Sequence, residues 1–178
     1  MTESTQQKTI ETGQLITEMT AGLKTLLDNQ AITEPVMIGI HSGGAWLAKQ
    51  LHHNLAINAP LGNLDISFYR DDFTRLGINP QVQPSSLPFS IDDQHIILVD
   101  DVLFTGRTIR AALNEIFDYG RPASVILCVL VDRGERELPI HADITGMDIK
   151  LDKGQQIKLS DETTLMLEII NTAGQAHE

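Results

Sequence analysis

The sequence predicts an α/β fold: a central parallel sheet flanked by helices, with a small hood. Three observations carry this. Two short, β-branched apolar runs, VMIGI and IILV, each lead through a glycine-bearing turn into a helical stripe. A third run, SVILCVLV, follows the second helix, completing a strand–helix–strand unit of the kind that builds parallel sheets. The end of the chain changes character, to the short segments QIKLS and TLMLEI separated by Gly and Asp.

Taken in order, Leu15, Ile16, Met19, Leu23, Leu26 and Leu27 fall at helical spacing, so residues 9–29 read as an amphipathic helix. Residues 36–41 (VMIGIH) read as a buried strand entering a Ser-Gly-Gly turn, and 45–54 as the next helix. The alternation in LDISFY (64–69) suggests a strand with one exposed face. From Arg70 to Ser90, Gly77, Pro80, Pro84 and Pro88 break the chain into a long loop, and loops of that length are usually lids or binding segments. The strand IILV then ends in an acidic pair. Ile109, Ala112, Leu113, Ile116 and Phe117 form a helical stripe that Gly120 and Pro122 terminate. Residues 124–131 are the next buried strand, and QIKLS and TLMLEI read as an antiparallel cap. The expected organisation is one domain over 1–178. Its core spans about 30–135, its hood about 136–178, and the N-terminal helix packs on the core.

Composition narrows the function classes. With 21% charged and 42% AVILMFWYC residues the chain is an ordinary globular mix. No apolar run reaches the roughly 18–20 residues of a membrane helix, and the polar start MTESTQQKTIETGQ has no signal core, so a cytoplasmic protein is expected. A net charge of −11 argues against indiscriminate nucleic-acid binding. Cys128 is the single cysteine, which excludes an intrachain disulfide framework; within SVILCVLV it reads as a core residue. His52-His53 reads as the wet face of a helix.

The stretch IILVDDVLFTGRT (96–108) carries the chemistry. Ligands of an open parallel sheet sit at the carboxyl ends of its strands, and Asp100 and Asp101 follow such an end. Thr105, Gly106, Arg107 and Thr108 lead into a helix, whose N-terminus offers N–H groups and a positive dipole end to an anion. Two carboxylates beside a phosphate cradle suit hydroxyls or a divalent cation. A ribose 5-phosphate unit satisfies both halves. A strand merely ending in a solvated acidic turn does not explain the glycine turn and helix. A nucleotide hydrolase would need a GxxxxGK[ST] loop, which is absent. A phospho-receiver domain would carry its acidic pair near the start of the chain.

Residues 96–108 resemble the 5-phosphoribosyl-1-pyrophosphate (PRPP) signature of the type I phosphoribosyltransferases. The run from Val99 to Gly146, with VMIGIHSGGAWLAKQL and DISFYRDDF, resembles the PyrR-type subfamily, regulators of pyrimidine operons that are also uracil phosphoribosyltransferases. The resemblance covers residues 35–146 well and the ends more weakly. It implies the type I phosphoribosyltransferase fold and the reaction of uracil with PRPP to UMP and pyrophosphate. Asp100 and Asp101 would hold the ribose hydroxyls. The turn from Val102, Leu103 and Phe104 through Thr105 to Thr108 would hold the 5-phosphate. His41, Ser42, Gly43 and Gly44 would form the pyrophosphate loop, and Arg70 would begin the lid. The Val131–Gly134 turn, with Asp132 and Arg133, would flank the base together with Phe104. Mg²⁺ would arrive with PRPP, so no dedicated metal cage is expected.

Two departures from the pattern predict modest turnover. Purine-using relatives place an acid where this chain has Phe104, which fits uracil better than a purine and removes a group typically contributing about 10²–10⁴-fold. Many members carry an arginine in the pyrophosphate loop, where this chain reads Ser42-Gly43-Gly44. The resemblance further implies a homodimer or homotetramer, and binding of pyrimidine-operon leader RNA promoted by UMP. The acidic chain speaks against the RNA, leaving Arg110, Arg121, Arg136, Lys150, Lys153 and Lys158 as candidate contacts outside the site. A nucleotide sensor without useful catalysis, and a transferase for another base, stay open beside the enzyme.

Overall fold

The computed structural model describes residues 8–66 and 84–171. A parallel sheet of five strands forms the centre: β2 (Val36–Ile40), β3 (Gly62–Leu64), β4 (His95–Leu103), β5 (Ser124–Asp132) and β6 (Ile144–Asp148), in the order β3-β2-β4-β5-β6. Helix α1 (Gly13–Asn29) and helix α2 (Gly43–Asn54) cover one face, and α3 (Arg107–Tyr119) covers the other. A second, antiparallel sheet joins β1 (Lys8–Glu11), β8 (Met166–Asn171) and β7 (Gln155–Leu159) in the order β1-β8-β7.

The pleat sorts the apolar residues of the parallel strands between two cores. Met37, Ile97, Val99, Ile126 and Cys128 pack toward α1 and α2. Ile38, Ile40, Ile96, Leu98, Leu127 and Val129 pack toward α3. Strands buried on both faces explain why VMIGI and IILV read as continuous apolar runs rather than alternating ones. The small sheet adds Ile157, Leu159, Leu167 and Ile169 to the α1–α2 core, so it is bonded to the body by apolar burial.

Several boundaries differ from the sequence reading. Residues 8–11 form β1 instead of the start of α1, because β8 offers them a main-chain edge from Lys8↔Ile169 to Glu11↔Met166. Thr12, buried between strand and helix, donates its hydroxyl to the Leu165 carbonyl. Helix α2 starts at Gly43, two residues earlier than expected. Of the strand read over 64–69, Leu64 ends β3, Asp65 and Ile66 are irregular, and the rest lies outside the described residues, as does Arg70 with most of the long loop. Ile144–Asp148, on the hood side of the sequence division, is the edge strand of the parallel sheet, because β5 has a free edge there (Cys128↔Ile144 to Asp132↔Asp148). Phe117 is 57% exposed: eight residues past Ile109 is about 80° around the helix, off the buried stripe. His52 is half-buried with a ring nitrogen 2.7 Å from the Ala59 carbonyl oxygen, so only His53 lies in water.

Candidate functional site

The strand order reverses direction between β2 and β4. From β2 the chain moves outward to β3; from β4 it moves the other way, to β5 and β6. The crevice at such a reversal is where open α/β sheets bind ligands. Here β2 pairs with β4 only up to Gly39↔Val99, whereas β5 follows β4 through Asp100↔Val129 to Leu103↔Asp132. The acidic pair therefore lies within β4, not past its end as the sequence suggested. The ladder with β5 keeps the strand extended after β2 has turned away.

The N-terminus of α2 fills the space that β2 vacates. A Cβ on Gly43 would stand 2.3 Å from Asp101 Oδ2, and one on Gly44 would stand 2.6 Å from the Val99 carbonyl and 2.9 Å from Asp100 Cα. At position 44, where the neighbours are backbone atoms, only glycine permits this approach. The peptide between His41 and Ser42 is cis. Asp100 is 2% exposed and its Oδ1 accepts the Asp101 N–H at 3.0 Å; Asp101 is half-buried. Of the two, Asp101 is the carboxylate the crevice reaches more readily.

Downstream of the pair, Gly106 takes φ +94°, a left-handed conformation that glycine adopts without strain, and starts α3. Gly106, the N-cap, has no side chain to cap α3, and the first turn of the helix has no acid, so no carboxylate of that turn opposes its positive dipole end. Thr105 Oγ1 accepts the Arg107 N–H at 3.2 Å. The Arg107 guanidinium binds Glu137 at 2.6 Å, and the half-buried Thr108 sits one position further along the helix. Val102 is half-buried against the α1–α2 core and Leu103 buried in the α3 core; both anchor the turn through packing.

On the far side, the Arg133 guanidinium carbon lies 3.8 Å from the centroid of the Phe104 ring, a cation–π stack. Arg133 Nε is buried with no acceptor in reach among the described residues. Burial pushes the Asp132 carboxyl up, but the Arg136 hydrogen bond, the Gly134 N–H and the Arg136 and His141 charges outweigh it and hold its pKa below the ordinary value. Asp132, Arg133 and Arg136 line a cavity of about 410 Å³ with His141, Asp148 and Lys150. So the structure brings the acidic pair, the glycine turn and the phosphate turn to one end of the sheet, with Phe104, Asp132 and Arg133 adjoining.

Sequence reasoning missed Arg136 and Glu137. Arg136, read as a surface cation available to RNA, donates to the Ile140, Phe104 and Gly134 carbonyls and pairs with Asp132. The signal was the density of charge in DRGERE, with Asp132 and Arg136 four apart; it does not say which partners are internal. Among the described residues, no group of three or more His, Cys, Asp or Glu gathers to hold a metal ion. No helix among them is long and apolar enough to cross a membrane.

Fold and site together define an α/β protein whose parallel sheet carries, at its carboxyl end, an acidic pair a few residues before the N-terminus of a helix. The phosphoribosyl transferase domain family matches residues 6–161. The chain is 55% identical to the bifunctional protein PyrR of Nitrosococcus oceani over 87% of this chain and 89% of that one. To the PyrR of Pseudomonas fluorescens it is 52% identical, over 89% of this chain and 95% of that one. The hypoxanthine phosphoribosyltransferase of Trypanosoma cruzi superposes with a TM-score of 0.68 at 20% identity, covering 96% and 93% of the two chains. This chain belongs to the phosphoribosyltransferase family and, within it, to the bifunctional PyrR proteins.

Proposed function

We propose that this chain transfers the phosphoribosyl group of PRPP to uracil, giving UMP and pyrophosphate, and that it regulates pyrimidine-biosynthesis genes in the cytoplasm as a homodimer or homotetramer. The observation that carries the reading is the placement of Asp100 and Asp101 against the α2 N-terminus, with the acid-free α3 N-terminus a few residues on. One end takes a vicinal diol and the other a phosphate.

In the reaction the uracil nitrogen forms a bond to ribose C1 as the bond from C1 to the pyrophosphate oxygen breaks. The nitrogen's proton passes to solvent. Positive charge develops on the ribose ring, and the Asp100–Asp101 carboxylates stabilise it electrostatically while holding the hydroxyls. Main-chain N–H groups of His41 to Gly44 receive the departing pyrophosphate, and Arg70 closes over it. Magnesium belongs to the substrate: PRPP carries it on its phosphates, as suits a hard ion that keeps oxygen ligands from substrate and water. Phe104 presents an apolar ring where a purine-specific acid would stand, and Arg133, Asp132 and Phe104 form the base side. Turnover is modest, because no described side chain at Phe104 can exchange a proton with the base.

For the regulatory role, the leader RNA of a pyrimidine operon is the partner, with UMP as effector. Arg110, Arg121, Lys150, Lys153 and Lys158 are its candidate contacts, Arg136 being engaged internally. The net charge of −11 per chain works against such binding, and its salt dependence should scale with the number of phosphates these cations contact.

The test is pyrophosphate release with PRPP, Mg²⁺ and uracil, wild type beside Asp100→Asn/Asp101→Asn. Uracil-dependent release that the double variant loses supports the reading. Equal rates in both would overturn it. No release, with UMP-dependent RNA binding intact, would identify a sensor instead. Faster release with orotate, hypoxanthine, guanine or xanthine would reassign the base.

A further inference from the structure

The segment after β5 is tied repeatedly to the phosphate turn. The Arg133 N–H donates to the Leu103 carbonyl at 2.9 Å, and the Glu137 and Leu138 N–H groups both donate to the Thr105 carbonyl, at 3.0 and 3.1 Å. Arg107 binds Glu137. A Cβ on Gly106 would already touch Leu138 Cβ at 3.3 Å, so the two segments are in van der Waals contact as well. Arg136 is the joint of this brace. Its Nη1 donates to the Phe104 carbonyl at 2.7 Å and to the Gly134 carbonyl at 3.2 Å, its Nε donates to the Ile140 carbonyl at 2.8 Å, and its Nη2 pairs with the Asp132 carboxylate.

The planar guanidinium presents its donors in a fixed fork, so several acceptors held by one such group cannot shift independently. The pair is mostly buried, with side chains 16% and 18% exposed, so these bonds are poorly replaced by water. Phe104 closes the acidic pair's turn, and Asp132 lines the cavity on the base side. To the main-chain ties between the two segments this one side chain adds a link from the Phe104 carbonyl to Asp132, between the phosphate end and the base end of the site.

We propose that Arg136 is a positioning residue for the base: it fixes the turn after β5 against the Phe104 carbonyl, so that a base reaches its subsite while the ribose phosphate is held at α3. This rests on the reading of the site as a ribose 5-phosphate subsite with a base subsite beside it.

The experiment is calorimetric titration of UMP and of ribose 5-phosphate into the wild type, Arg136→Lys and Arg136→Met, with thermal unfolding of each. Lysine keeps the charge and part of the bonding, so it stays measurable if the methionine variant folds poorly. The expected result is UMP affinity lowered about tenfold or more in Arg136→Met and less in Arg136→Lys, with ribose 5-phosphate affinity changed by no more than about twofold. A residue that only stabilises the fold would lower both affinities in proportion. Proportional loss, or no loss, overturns the inference. A wild type that binds ribose 5-phosphate but not UMP also overturns it. A wild type that binds neither ligand sinks the reading of the site itself, and the inference with it.

Discussion

Replacing Gly43 and Gly44 one at a time separates binding from stability at the crevice. Alanine inside a helix is worth up to about 1 kcal/mol over glycine, which favours both variants. The contacts oppose it. At position 44 the new Cβ meets the Val99 carbonyl at 2.6 Å and Asp100 Cα at 2.9 Å, both backbone atoms of a central strand held on β5. To reach an ordinary 3.4 Å, α2 and β4 must separate by most of an ångström, and overpacking of this kind costs about 1–3 kcal/mol. Gly44→Ala should therefore be less stable by about 0–2 kcal/mol after the helix gain, a fall of about 2–4 °C for each kcal/mol in a chain of this size. At position 43 the Cβ meets the Asp101 carboxylate at 2.3 Å, which can rotate away, and Asp101 Cβ at 3.0 Å, which needs a shift of only a few tenths of an ångström. Gly43→Ala should thus lose less stability than Gly44→Ala but lose affinity for UMP and ribose 5-phosphate, because the Asp101 carboxylate leaves its place. Chemical unfolding gives the first quantity and calorimetric titration the second. A Gly43→Ala protein that binds like wild type would show that the Asp101 position is not used. A Gly44→Ala protein more stable than wild type would refute the close packing of α2 on β4.

Three further outcomes follow from the site and core. Removing the Glu137 charge (Glu137→Gln) should change stability by less than about 1 kcal/mol, since its pair with Arg107 is half exposed, yet raise ribose 5-phosphate affinity at low salt; unchanged affinity would argue against a phosphate at α3. The Asp132 pKa is depressed, so its contribution to stability is present above the unfolded value of about 4 and disappears as pH falls through the folded one. Urea midpoints of wild type and Asp132→Asn should accordingly converge on acidification, and a gap that widens would contradict the Arg136 pairing. Burial, with Asp143 adding to it, pushes the Cys128 thiol up to about 12. Its contribution is therefore full below an unfolded value of about 8.5 and drains away as pH rises toward 12. The native thiol should resist iodoacetamide at pH 8 and react once urea unfolds the chain; rapid labelling of the native protein would place Cys128 outside the core.

The sequence by itself determined the parallel sheet, because strands buried on both faces must be apolar throughout, and VMIGI, IILV and SVILCVLV show that composition locally. It also determined the glycine turn that leads from β4 into α3, since a turn opening a helix is a short-range arrangement written in consecutive residues. What needed the tertiary structure was everything set by partners distant in the chain. Lys8–Glu11 could join a helix or a sheet until β8 supplied an edge. Ile144–Asp148 belongs to the parallel sheet because β5 was open there. The glycines at 43 and 44 read as a turn and pyrophosphate loop, whereas the fold places them in the first turn of α2, lying close on Asp101 and on the Val99 carbonyl. Arg136 looked like one more surface cation. Its acceptors lie on the turn after β4 and on its own loop, and only the folding of β5 beside β4 brings those carbonyls within reach of one guanidinium.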